Sequence, residues 1–68
     1  MKNTIKVERA KRDMTQAELA EHVNVSRQTI NAIEIGKFVP STLLALKIAE
    51  TFGAPFETIF ILENTDWD

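Results

Sequence analysis

The sequence predicts an all-α domain of five short helices with a short strand pairing between its ends, and three observations carry that prediction. Apolar residues recur at helical spacing, as in the i, i+4, i+8 stripe Leu44, Ile48 and Phe52. Residues that cap helices, Thr15, Ser26 and Ser41 or Thr42, stand just ahead of apolar runs. Both glycines and both prolines fall in the second half, where a helix should start or stop. The chain has 68 residues and no cysteine, which is room for one domain and excludes disulfides and thiolate metal sites. Hydrophobic residues make up 44% and charged residues 26%, the balance of a folded globular chain. A core this small leaves no space beneath it for a deep catalytic cleft.

Each element has its own signal. The first helix is expected over about Thr4 to Arg12, with Ile5 and Arg9 on one face, and Asp13-Met14 breaks it. Thr15 followed three residues later by Glu18 is a capping box, so a second helix runs from Gln16 to about His22. Val23-Asn24-Val25 is a tight turn, and Asn24 suits a left-handed backbone. Ser26 caps a third helix, Arg27 to Ile35, with Ile30 and Ile33 inward and Gly36 as its stop. Lys37 to Pro40 is a loop. The fourth helix ends near Phe52 with Gly53 after it, and Pro55 opens the fifth. Ile61-Leu62 suits a short strand. Residues 1–62 form the expected domain, 15–35 its central helix pair, and 63–68 an acidic tail.

Two capped helices joined by a three-residue turn make a helix-turn-helix unit. A helix N-terminus exposes free N–H groups and partial positive charge, which suits a DNA phosphate. Gln16 stands at one such start. The third helix begins with Arg27, Gln28 and Thr29, with Asn31 one turn beyond Arg27. Arginine pairs with guanine, glutamine with adenine, and threonine meets a thymine methyl or a phosphate. A helix made for solubility alone would carry glutamate and lysine there. The charge distribution agrees. Residues 1–37 hold seven basic against five acidic side chains, a net of +2, and residues 38–68 hold one against five, a net of −4. The first half can face phosphates while the second faces away.

Thr15-Gln16-Ala17-Glu18-Leu19-Ala20, Val25-Ser26-Arg27-Gln28-Thr29-Ile30-Asn31-Ala32-Ile33-Glu34, Gly36-Lys37, Pro40-Ser41 and Leu44 to Ala49 stand in an order and spacing that resemble the Cro and lambda-repressor type of helix-turn-helix regulator. This type is also called the xenobiotic-response-element family. The resemblance covers roughly residues 3–62 and is closest to small stand-alone dimeric members. It implies five helices and a transcriptional regulator, most often a repressor, that binds a palindromic DNA operator. It implies phosphate contacts from Gln16, Lys37, Phe38 and Ser41, with Ser26 and Thr29 at the same surface, and base contacts from Arg27, Gln28 and Asn31. It also implies an ion pair between Arg9 and Glu34. Three positions depart from the pattern. Ile35 replaces a usual polar residue, Glu8 occupies a usually apolar position, and Thr42-Leu43 invert an apolar-then-polar order, which leaves Leu43 exposed.

One recognition helix reads too few base pairs to find a site in a genome, so a homodimer is expected. Pro55, Phe56, Phe60, Ile61, Leu62 and Trp67 are the expected interface, with Ile59 in the monomer core and Phe60 open between the two. A terminal strand pairing is expected between Ile61 to Asn64 and Lys2 to Thr4. Trp67 is either an anchor of that interface or a loose tail residue.

Other classes fit less well. No glycine-rich phosphate loop or metal-ligand spacing is present, so neither an enzyme, a metal nor a cofactor is expected. His22 alone cannot make a zinc site. An antitoxin of this fold would use Leu43 and the apolar end for a toxin, but has little chain to spare for it. A purely structural bundle leaves Arg27, Gln28 and Thr29 unexplained. No apolar run approaches 18 residues and no apolar leader is visible, so cytoplasmic residence without a membrane partner or a small-molecule effector is expected.

Overall fold

The computed structural model describes residues 1–68. Five helices follow one another: α1 (Ile5–Lys11), α2 (Gln16–Val23), α3 (Arg27–Glu34), α4 (Thr42–Phe52) and α5 (Phe56–Ile59). Two short strands, β1 (Lys2–Asn3) and β2 (Phe60–Ile61), pair antiparallel, with Lys2 opposite Ile61 and Asn3 opposite Phe60. The fold is therefore the expected five-helix domain with a small strand pairing.

The caps sit where the sequence puts them. Thr15 accepts from the Glu18 N–H at 3.0 Å, and Glu18 accepts from the Thr15 N–H at 2.9 Å. Ser26 and Ser41 cap α3 and α4 through the N–H groups of Thr29 and Leu44. Asn24 takes the left-handed backbone, φ 62°, that turns α2 into α3. Gly53 ends α4 at the same φ of 62°, a conformation that a β-carbon would strain. Pro55 stands as the residue that caps α5 rather than inside it.

Ile5, Leu19, Ile30, Ile33, Ile48 and Ile59 are fully buried and draw all five helices onto one core. Each such side chain contributes about 1.5–3 kcal/mol relative to exposure. Phe60 falls on the core side of the two places open to it. It is 5% exposed and completes this core, so it is not a free interface residue. Its ring packs on Phe56 at a centroid distance of 5.0 Å, and the strand pairing turns it inward.

One correction and one addition concern the ends. The second strand is Phe60–Ile61, earlier than the expected Ile61 to Asn64, because α5 stops at Ile59 and its chain turns straight into the pairing. Asn64–Trp67 forms one 3-10 turn, and Glu63 and Asp66 hold the Met1 ammonium at 3.2 and 3.0 Å.

Glu8 explains its own oddity. It is buried, and its carboxylate accepts from Arg12 at 2.9 Å and from Lys11 at 3.2 Å. Arg12 also donates to the Phe52 carbonyl and lies over the Phe52 ring, 4.9 Å from its centroid. A charge in an apolar place is thus matched by an arginine that ties α1 to the end of α4.

Candidate nucleic-acid interface

The capping box fixes the start of α2, and the Asn24 turn sets α3 across it. Ile30 and Ile33 fasten α3 to the core by one face. The opposite face follows from the helical period: Arg27, Gln28 and Asn31 are exposed and share it at i, i+1 and i+4. Ser26 lies at its start, where its hydroxyl pairs with that of Thr29 at 2.9 Å. At the other end Gly36, with φ 82°, reverses the chain, and the N–H groups of Lys37 and Phe38 both return to the Ala32 carbonyl, at 2.9 and 3.2 Å. Lys37 and Phe38 therefore sit against the last turn of α3, and Ser41 follows at the start of α4. Ser41, Lys37 and Phe38 are all exposed.

Behind this face is a hydrogen-bonded line. Arg9 Nε donates to Glu34 Oε2 at 2.6 Å, and Nη2 donates to Oε1 at 3.1 Å. Arg9 Nη1 donates to the Met14 carbonyl at 2.8 Å, which ties the chain after α1 to the same guanidinium. The pair is inside the protein, with side-chain exposures of 13% and 5%. Gln16 Nε2 donates both to Glu34 Oε1 at 3.0 Å and to Asn31 Oδ1 at 3.1 Å. Both amide hydrogens of Gln16 are thereby used inside the chain. In this arrangement the Gln16 main-chain N–H, in the first turn of α2, is the free donor for the phosphate contact expected at the Gln16 position.

Burial pushes the Glu34 carboxyl up, but hydrogen bonds from Arg9 and Gln16 outweigh it and hold the group below the ordinary 4.5. Arg12 first and Lys11 second hold the Glu8 carboxyl down in the same way. A carboxyl lowered on folding stabilises the folded state above its ordinary value and loses that contribution as pH falls through the folded value. Melting temperature is therefore expected to hold steady through neutral pH and to fall once pH drops below about 4.5. Glu34→Gln should shallow that acid slope in a calorimetric pH series.

One residue of the site escapes the sequence reading. Asn3 donates to the Ile33 carbonyl at 2.8 Å and accepts from the Ile5 N–H at 3.2 Å, so it clips the end of α3 to the start of α1. Its place just ahead of a helix was the available signal. Leu46, off the Leu44, Ile48, Phe52 stripe, is 51% exposed and lies outside these contacts. Of the expected interface residues, Pro55, Phe56, Ile61, Leu62 and Trp67 are exposed, as are Ile35 and Leu43.

The Helix-turn-helix family model HTH_3 matches residues 5–59. Curated relatives agree along nearly their whole length. An HTH-type transcriptional regulator of Methanocaldococcus jannaschii is 53% identical over 66 residues, 97% of this chain and 100% of the relative. The HTH-type transcriptional regulator YgzD of Bacillus subtilis is 51% identical over 64 residues, 94% of this chain and 97% of the relative. One from Archaeoglobus fulgidus is 49% identical over 69 residues, 100% of this chain and 97% of the relative. No helix of the chain is long and apolar enough to cross a membrane. With the capped helix pair, its outward polar face and these matches together, the chain belongs to the Cro/C1-type helix-turn-helix family of transcriptional regulators.

Proposed function

We propose that the protein is a repressor that binds a palindromic double-stranded DNA operator in the cytoplasm as a homodimer, with α3 of each copy in the major groove. One observation carries this reading: α3 exposes Arg27, Gln28 and Asn31 on one side while Ile30 and Ile33 anchor the other. The helix is held as a rigid body with its hydrogen-bonding side chains outward. Arg27 pairs with guanine and Gln28 with adenine, and the Thr29 methyl meets thymine. Ser26, Lys37, Phe38, Ser41 and the Gln16 main-chain N–H meet the backbone on either side of the groove and set the register. Bound over a promoter, such a dimer blocks transcription by occupancy. Control by its own concentration needs no effector.

Exposed apolar residues near the chain's end support the second copy. Phe56, Ile61, Leu62 and Trp67 present more apolar surface than one terminal segment needs, with Leu62 60% and Trp67 76% exposed. The net −4 of residues 38–68 favours a face turned away from phosphates.

Selection of bound duplexes from random DNA, alongside gel filtration, tests the proposal. The expected product is a palindrome with half-sites about one helical turn, roughly 34 Å, apart. Enrichment of a single asymmetric site by a monomer would refute the dimer. Arg27→Ala is expected to lose about 1–3 kcal/mol on the selected operator and to relax one base position. Titrations on the operator and on single-base variants check this. An equal loss on all sequences would assign Arg27 to the phosphates instead.

A further inference from the structure

Four side chains run in one hydrogen-bonded line from the interior to the outer face of α3. Arg9 can only donate. Glu34, its partner at 2.6 Å, is held ionised and can only accept. Gln16 must therefore meet Glu34 with its amide nitrogen, at 3.0 Å. The other hydrogen of that nitrogen goes to Asn31, at 3.1 Å, so Asn31 must offer its carbonyl oxygen. The two ends of an amide are hard to tell apart by shape. Here the guanidinium at the head of the line settles both amides by donor and acceptor type alone. Asn31 Oδ1 is thereby turned inward to Gln16, and the group that Asn31 directs wholly to the outside is its amide nitrogen with two hydrogens.

We infer that the buried Arg9–Glu34 pair fixes, through Gln16, which end of Asn31 faces the DNA, so that Asn31 reads hydrogen-bond acceptors and discriminates against cytosine. The inference rests on the reading of α3 as the recognition helix. In the major groove guanine shows N7 and O6, adenine N7 and thymine O4 as acceptors, whereas cytosine shows only the N4 amino donor. An asparagine free to turn its amide over would satisfy either pattern and select weakly. Asn31 touches the base. Gln16, Glu34 and Arg9 are positioning residues, each acting on the base only through the next. The arrangement also accounts for a glutamine at the start of α2 whose side chain is turned toward α3.

Sequence selection from random duplexes, run on the full chain and on Asn31→Ala, Asn31→Asp and Gln16→Ala, tests this. Asn31→Ala identifies the base position by losing information there. At that position the unaltered protein is expected to disfavour cytosine by about tenfold. Gln16→Ala is expected to abolish that discrimination while the other positions keep theirs. In Asn31→Asp the outward group becomes an acceptor, and cytosine is expected to move from least to most favoured. Melting curves confirm that each variant is folded. Asn31 is exposed and Gln16 half-buried, and either variant alone decides the question. If Gln16→Ala keeps the original preference at that position, or Asn31→Asp weakens all sequences alike, the inference fails while recognition by α3 stands. If the unaltered protein enriches no sequence at all, recognition by α3 fails and takes this inference with it.

Discussion

Glu34→Ala is expected to lower the unfolding free energy by about 3 kcal/mol, the lower end of what breaking a buried ion pair costs. Arg9 is the reason. Its guanidinium is 13% exposed and gives two hydrogen bonds to Glu34, which leaves it only the Met14 carbonyl once the carboxylate is gone. The slight exposure lets Arg9 recover some hydration, which keeps the loss from the upper end of the range. A chain of 68 residues is held by roughly 3–10 kcal/mol in all, so the variant sits near its unfolding limit. Urea titration measures the loss. The double replacement Arg9→Met with Glu34→Leu separates two meanings of it. If the pair chiefly orients α1 against α3, the apolar pair should recover most of the stability. A double variant as unstable as Glu34→Ala would instead show that the ion pair itself stabilises the fold.

Ile33→Ala is the second large effect, an expected loss of about 2–5 kcal/mol. The side chain is 1% exposed on the inner face of α3, in the core with Ile5 and Ile30. Its truncation opens a cavity under the helix that carries the reading face. The informative comparison is with Arg27→Ala, on the opposite face of the same helix. Exposed Arg27 should change stability by no more than about 0.5 kcal/mol while operator binding suffers. Ile33→Ala should do the reverse at temperatures where it remains folded. Denaturant melts and operator titrations on both variants measure this. Matching losses of stability from both would mean that Arg27 is part of the packing.

The features legible in the sequence were those fixed by local chemistry. Thr15 with Glu18, Ser26, Ser41, Asn24 and Gly53 each solve a backbone problem within a few residues of themselves, so composition at short range was enough to place α2, α3 and α4. The inward isoleucines of α3 followed from its period for the same reason. What escaped depends on partners far along the chain. Gln16 and Asn31 are 15 positions apart, Asn3 and Ile33 are 30, and Arg12 and Phe52 are 40. Nothing near Glu8 in sequence says that Arg12 bridges it to the end of α4. Phe60 stays open between core and interface in the sequence, because an aromatic residue after a short helix reads the same whether a strand turns it inward or leaves it out. Asn3, 57 positions away, stands opposite it in the pairing.

The contact between Lys2 and Ile61 has a consequence for how the molecule assembles. It closes a ring of almost the whole polypeptide with two residues from each side. Closing long rings is entropically dear and slow compared with winding adjacent helices together. The pair α2 and α3, joined by a three-residue turn, is by contrast a local contact that needs no such closure. Thr4, whose N–H reaches the Ile59 carbonyl at 2.9 Å, stands at the seam that this closure joins.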